Sequence, residues 1–302
     1  MHYVWFLTIC CIWSSSFILM KKASVCFSSA EIGLGRIVGG AVVLGLAWWS
    51  QRSGMKLPRG DWWRMGGVVV LGYSWPYTIQ PGLVALHGSA FIGMTVSFVP
   101  LLTILASIPL LNLYPTRRQL WGVLGALVCL GTLMVDGLDR QIPPLDLLLA
   151  ISVPLSYALT NTWIRRSLRH VPALDLSFYS LALAAIVQLP IAGGFSSDSA
   201  TTTDQWWIAF GAVTFLGVAG TGLSTFLFNK LIHEQGPLFA GMVTNLVPIG
   251  AVVWGWLDHE AVTPLQVIAL AGVLAMVAIV QYGAALATES RRHIVDSTDA
   301  RP

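Results

Sequence analysis

WSSSFILMK (Trp13–Lys21) and YALTNTWIR (Tyr157–Arg165) occupy matching places 144 residues apart, and the fold follows from that match. Outward from it, the same offset pairs Glu31 with Asp175 and the doublet Trp62, Trp63 with Trp206, Trp207. Later the offset drifts. Pro100 matches Pro248 at 148, and Thr116 and Gln119 (TRRQ) match Thr263 and Gln266 (TPLQ) at 147, as a few residues gained in a loop require. Each copy holds five apolar stretches. Five is odd, so a second copy must cross a membrane in the opposite sense to the first, the inverted-repeat arrangement of small-molecule carriers.

Composition points to the bilayer independently. Charged residues make up 10% of the 302 and hydrophobic ones 55%, against about 25% charge in ordinary soluble domains. Charge-free runs such as Tyr3–Met20, Met65–Leu86, Gly88–Tyr114 and Gln205–Asn229 reach the roughly 20 residues that a spanning helix needs. They are continuous rather than alternating, which argues against barrel strands. The reading is an all-α polytopic membrane protein. It has ten transmembrane helices in two inverted five-helix repeats, residues 1–138 and 139–288, followed by a polar cytoplasmic tail, 289–302.

The cations set the orientation. With the N-terminus inside, thirteen of the 17 Lys and Arg fall in cytoplasmic segments, among them Arg64, Arg117, Arg118, Arg165, Arg166 and Lys230. Only Lys21, Lys22 and Arg140 fall on the opposite side, and Arg36 lies within a span. This asymmetry predicts a multi-pass protein of a plasma (bacterial inner) membrane with both termini cytoplasmic. The net charge of +3 therefore reports topology and not nucleic-acid binding. The apolar N-terminus has no basic stretch before it and no small-residue cleavage pattern, so it reads as the first helix. Cys10, Cys11, Cys26 and Cys129 have neither metal-ligand spacing nor the pattern of a disulfide framework, and no cofactor is expected.

IWSSSF (Ile12–Phe17) with Lys21 closing the helix, Arg36, Pro100, TRRQLWG (Thr116–Gly122), Asn245–Pro248 and EAVTPLQ (Glu260–Gln266) follow one another in an order that resembles the drug/metabolite transporter superfamily, in its ten-helix EamA branch. The resemblance covers residues 3–288. It departs at Ser14, where the family commonly has Gly, and at Leu113, where a Glu is frequent. The resemblance implies two five-helix halves around a central cavity that opens alternately to either side. It also implies a carrier of small organic metabolites, amino-acid-like compounds or drugs, with export a common direction.

Polar groups and helix breaks inside a bilayer mark packing points or a substrate pathway. Pro100 and Pro248 are matched mid-span breaks, the strongest pointer to a transporter site. Tyr73, Tyr77 and Gln80 follow i, i+4, i+7 spacing and share a helix face, and Thr221, Thr225 and Asn229 repeat the pattern in the equivalent helix of the second copy. Trp13 and Tyr157 match across the copies, with Ser16 and Thr160 one turn on, while Asn161 and Asn245 bring amides to mid-membrane depth. Core packing, helix ties and hydroxyls turned back on their own helix are the competing readings. Lys21, Lys22 and Arg36 are expected to form an outer vestibule attractive to anions, or else to pair with Glu31 and Asp136 and hold helix ends. Glu260, just before Thr263, reads as a helix-start residue.

No Asp or Glu sits at mid-membrane depth, which disfavours proton coupling through a carboxylate. His87 lies near a helix junction, where a structural role competes with pH sensing. An intramembrane enzyme is the competing class, beside a non-transporting scaffold. No G-x-S-x-G elbow, no H-E-x-x-H and no pair of membrane-embedded Asp is present, so the chain is not read as an enzyme. The expected partners are a small-molecule substrate and the lipid bilayer, not nucleic acid. Gly122, Gly125 and Gly131 would permit close helix contact within the chain or in a homodimer.

Overall fold

Capping chemistry sets where the helices begin. Thr116 and Gln119 form a capping box, the threonine hydroxyl accepting from Gln119 N–H while the Gln119 side chain accepts from Thr116 N–H. Thr263 and Gln266 make the same reciprocal pair 147 residues later, so the duplicated T-x-x-Q is a duplicated helix start. Ser28 with Glu31 and Thr202 with Gln205 cap two further helices. The structure, a computed structural model, describes residues 2–51, 59–193, 202–228, 230–231 and 243–280.

The helices are α1 (His2–Ala23), α2 (Ser29–Ser50), α3 (residues 62–87), α4 (Ser89–Leu111), α5 (Arg117–Asp139), α6 (Pro144–Ser167), α7 (Ala173–Ala192), α8 (Thr203–Phe228), α9 (Val243–Leu257) and α10 (Pro264–Val280). No strand occurs among the described residues. Seven of these helices are long and apolar enough to cross a membrane; α9 and α10 are shorter apolar helices over their described lengths. The outer faces expose Leu46, Leu86, Val128, Ile186, Trp256 and Ile268, while Ser16, Gln80, Thr160, Ser180 and Gln188 are buried. Apolar outside and polar within is the arrangement that lipid demands.

Neither α3 nor α8 is regular. Each contains a π turn, Val69–Ser74 in one and Leu216–Leu223 in the other, so the two copies share this irregularity as well as their sequence pattern. A π turn frees carbonyls from the helical ladder. Here each is met by a donor from the first helix of the opposite half: Trp13 Nε1 of α1 donates to Gly220 O at 3.1 Å, and Ser156 Oγ of α6 donates to Leu71 O. Further along α3, Pro81 supplies no N–H to Tyr77 O. Ser29 Oγ of α2 enters the ladder there, accepting from Gly82 N–H and donating to Thr78 O.

Contacts between the halves come in exchanged pairs. α1 packs on α9 as α6 packs on α4, and α2 packs on α8 as α7 packs on α3. The α2/α8 crossing is a backbone contact. A Cβ on Gly39 would stand 2.8 Å from Gly217 Cα, and one on Gly217 would stand 2.8 Å from Gly35 O, so any larger residue forces the two helices apart. Gly122 and Gly125 press against Met276 and Val280 of α10, whereas Gly131 faces open space.

Candidate functional site

The first, third and fourth helices of each half surround a cavity of about 260 Å³. From α1 come Trp13, Ser16, Phe17 and Met20, and from α6 come Tyr157 and Asn161. Tyr77 and Gln80 of α3 face Gly220, Thr225 and Phe228 of α8; Val96 and Val99 of α4 face Thr244 and Val247 of α9. One further helix reaches the hollow. It is α2, through Arg36, and its counterpart α7 contributes nothing, the residue at the same offset being Ser180. Ser180 Oγ contacts Met65 Sδ at 2.9 Å instead.

Arg36 is 6% exposed. Its guanidinium lies 4.1 Å from the centroid of the Tyr77 ring, and Nη1 is 3.3 Å from Met20 Sδ. Nε has no hydrogen-bond acceptor, and no carboxylate among the described residues forms an ion pair with Arg36. Trp13 forms a wall with its N–H already committed to Gly220, its ring 5.2 Å from that of Phe228. The lining is mainly aromatic and aliphatic, with a few convergent polar tips, which is the usual makeup of a small-molecule site.

Of the residues that the sequence singles out, Trp13, Ser16, Tyr77, Gln80, Tyr157 and Asn161 line the cavity. Tyr73, Pro100, Thr221, Asn245 and Pro248 do not, and Asn229 lies outside the described residues. Tyr73 belongs to the π turn, where the 3.6-residue period fails; it packs edge-on to Tyr77, 5.9 Å between centroids, away from the hollow. Thr221 fails for the same reason in α8, its hydroxyl donating to Leu216 O at 3.0 Å. The two prolines are not equivalent breaks. Pro100 follows a 3-10 turn, Val96–Phe98, and sits in the first turn of the resumed helix, where a missing N–H costs nothing, whereas Pro248 lies inside α9. Their neighbours Val99 and Val247 face the cavity.

The three cations do not form one vestibule. Lys21 and Lys22 stand outside the central cavity and pair with the turn between α9 and α10. Lys21 Nζ is 2.7 Å from Asp258 Oδ2 and 2.6 Å from Glu260 Oε1, and Lys22 Nζ is 2.6 Å from Asp258 Oδ1. Glu31 and Asp136 hold helix ends by other means. Glu31 closes the capping box of α2, and Asp136 accepts from Thr263 and Gln266, tying α5 to α10. Glu260 is a helix-start group, but of α4 rather than α10. Gly88, at φ +96, has no side chain to cap α4, and Glu260 Oε1 and Oε2 accept from the N–H groups of Ser89 and Ala90 at 2.9 Å. Burial works to raise the Glu260 pKa, yet these amides and Lys21 hold it below the ordinary carboxylate value. Lys21, Glu260, His87 and Arg140 edge a second hollow of about 230 Å³, where His87 Nε2 is 2.7 Å from Asp146 Oδ2.

Much of the lining carries no polar signal. Phe17, Met20, Val96, Val99, Phe228 and Val247 read in sequence as ordinary apolar span residues, and Thr244 as an isolated threonine. Thr225 was legible only as one member of the threonine stripe. Gln188 of α7, which donates to Thr78 Oγ1 at 2.8 Å, had no partner that spacing could name.

A polytopic membrane protein with a hollow between two similar halves is the class that fold and site define. The sequence matches the EamA-like transporter family over residues 1–135 and 145–282, nearly the whole chain, and the protein belongs to that family. One curated relative is the uncharacterized transporter YoaV of Bacillus subtilis (strain 168), 22% identical over 154 residues, which are 51% of each chain. The match thus spans about half the length of that relative. A solved crystal structure superposes with a TM-score of 0.63 over 92% of this chain and 96% of its own, at 18% identity, a likeness of fold.

Proposed function

We propose that the protein is a carrier of small organic metabolites, amino-acid-like compounds or drugs, working by alternating access between two inverted five-helix repeats, with export the direction favoured by the family resemblance. In this reading ten helices span the membrane, residues 1–138 and 139–288 are the two repeats, and both termini lie in the cytoplasm. The observation that carries it is the cavity itself, since α1, α3 and α4 line it together with their counterparts α6, α8 and α9. Rocking one half against the other would expose that hollow to each side in turn. The matched π turns, each bridged to the opposite half by one side-chain donor, suit a contact that must re-form.

With the N-terminus inside, Lys21, Lys22, Asp258 and Glu260 lie at the outer end, where they bind α1 to the α9–α10 turn and to the start of α4. Opening outward would break these pairs. Flux of a radiolabelled metabolite pool into proteoliposomes tests the carrier reading. Tyr77→Ala and Gln80→Ala are each expected to lower transport about tenfold or more with little change in melting temperature, because truncating a substrate-facing group removes binding without touching the helix ends. Parallel loss of transport and of detergent-stable protein would reassign both residues to packing.

A further inference from the structure

Arg36 breaks the symmetry of an otherwise paired cavity, and its surroundings are those of a binding group rather than a structural one. A guanidinium offers five donors. Here one meets the Met20 thioether, a weak acceptor, the ring face of Tyr77 takes part of the charge, and Nε has no acceptor. The side chain is more than nine-tenths buried and faces the hollow. A buried cation in this state is costly unless something else supplies the negative charge. Glu31, five residues earlier, accepts from Ser28 N–H at 2.6 Å in the capping box, and no Asp or Glu among the described residues lines the cavity. Among the described residues the lining therefore holds one formal positive charge and no negative one.

We propose that Arg36 is the anion-binding group of the central cavity and that its ligands are small, flat organic monocarboxylates. Trp13, Tyr157 and Phe228 offer aromatic surface for a planar body, and Gln80 and Asn161 add neutral polar tips. A zwitterion fits less well, because an ammonium group would find no carboxylate among the described lining residues. At about 260 Å³ the space is below the about 300–1,000 Å³ of drug-sized pockets, which suits an aryl acid. Calling such acids substrates rests on the carrier reading; the binding statement does not.

The test uses the full-length protein in detergent, read by tryptophan fluorescence, to which Trp13 reports, and by thermal shift. The probes are phenylacetate, benzoate, phenylacetamide, phenethylamine, phenylalanine, acetate and phosphate. Phenylacetate or benzoate is expected to bind at least about tenfold more tightly than the neutral amide, the amine, the amino acid or either small anion. In Arg36→Gln the acid is expected to fall to the level of the amide, and Arg36→Lys to recover part of the difference. The ligand-free Arg36→Gln protein should melt no lower than the native one, an outcome that a structural arginine would not give. Equal binding of acid and amide, acid preference surviving in Arg36→Gln, phosphate binding as tightly as the aryl acids, or no binding by any probe would overturn the proposal. Should Arg36→Gln fail to fold, the native acid-to-amide ratio still decides. Acid binding without flux in proteoliposomes would defeat the carrier reading and leave the anion site standing. Flux of neutral compounds without acid preference would do the reverse.

Discussion

Lys21 and Arg36 are two cations fifteen residues apart on neighbouring helices, and the protein treats them oppositely. Lys21, whose side chain is 29% exposed, has two carboxylates within 2.7 Å. Arg36, at 6% exposed, has none among the described residues. Charge pairing is worth more as water is excluded, so a chain selected only for stability would place its carboxylates the other way round. The comparison separates a structural cation, whose partners are built in, from one whose partner is expected to arrive from outside.

Glu260→Ala would break the comparison most severely. It would strip Lys21 of one partner and the α4 N-terminus of its acceptor, and a loss of about 3 kcal/mol is expected from unfolding in mixed micelles. In the same measurement Arg36→Met should cost nothing within about 1 kcal/mol, because replacing an unpaired buried charge by an apolar side chain relieves desolvation. A loss comparable with that of Glu260→Ala would put Arg36 among the structural residues.

Acid sharpens the contrast by a smaller amount. Burial works to raise Asp258 and Glu260, but Lys21 and Lys22 on the first, and the Ala90 amide and Lys21 on the second, hold both below the ordinary carboxylate range. The hydrogen bond from His170, with that from Arg64, does the same for Asp61 at the start of α3. Carboxyls depressed in the folded state stabilise it fully above their unfolded value of about 4, and that contribution is lost as pH falls through the folded value. The melting temperature should therefore stay level from about pH 7 to 5 and drop below about 4, with a shallower drop in Glu260→Gln. Lys22→Ala should do least, within about 0.5 kcal/mol in the same unfolding assay, since the Lys22 side chain is 47% exposed and its pair with Asp258 is well solvated.

How far the site could be read depended on helical phase. Trp13 and Ser16 of α1 and Tyr157 and Asn161 of α6 lie in uninterrupted helices, and all four reach the cavity. Tyr73 and Thr221 lie in π turns, whose extra residue per turn rotates side chains off the face that a 3.6 period assigns. No sequence pattern announced those turns. Nor did spacing along the chain point to the Ser29 hydroxyl of α2, which fills the gap left by Pro81 in α3. Apolar lining such as Phe228 and Val247 was invisible because a lipid-facing residue and a cavity-facing one have the same composition.

The chain by itself determined the helical class, the duplicated pattern, the T-x-x-Q helix starts and the family. These rest on hydropathy and on hydrogen bonds between residues three or four apart, which the local sequence fixes. Only the tertiary structure decided that Lys21 meets Asp258 and Glu260 more than two hundred residues away, that Glu260 caps α4, and that Arg36 enters the hollow with no carboxylate paired to it among the described residues. Those outcomes depend on how one half docks against the other. A few ångströms or one helical residue of rotation changes which groups meet, and no periodicity along the chain contains that relation.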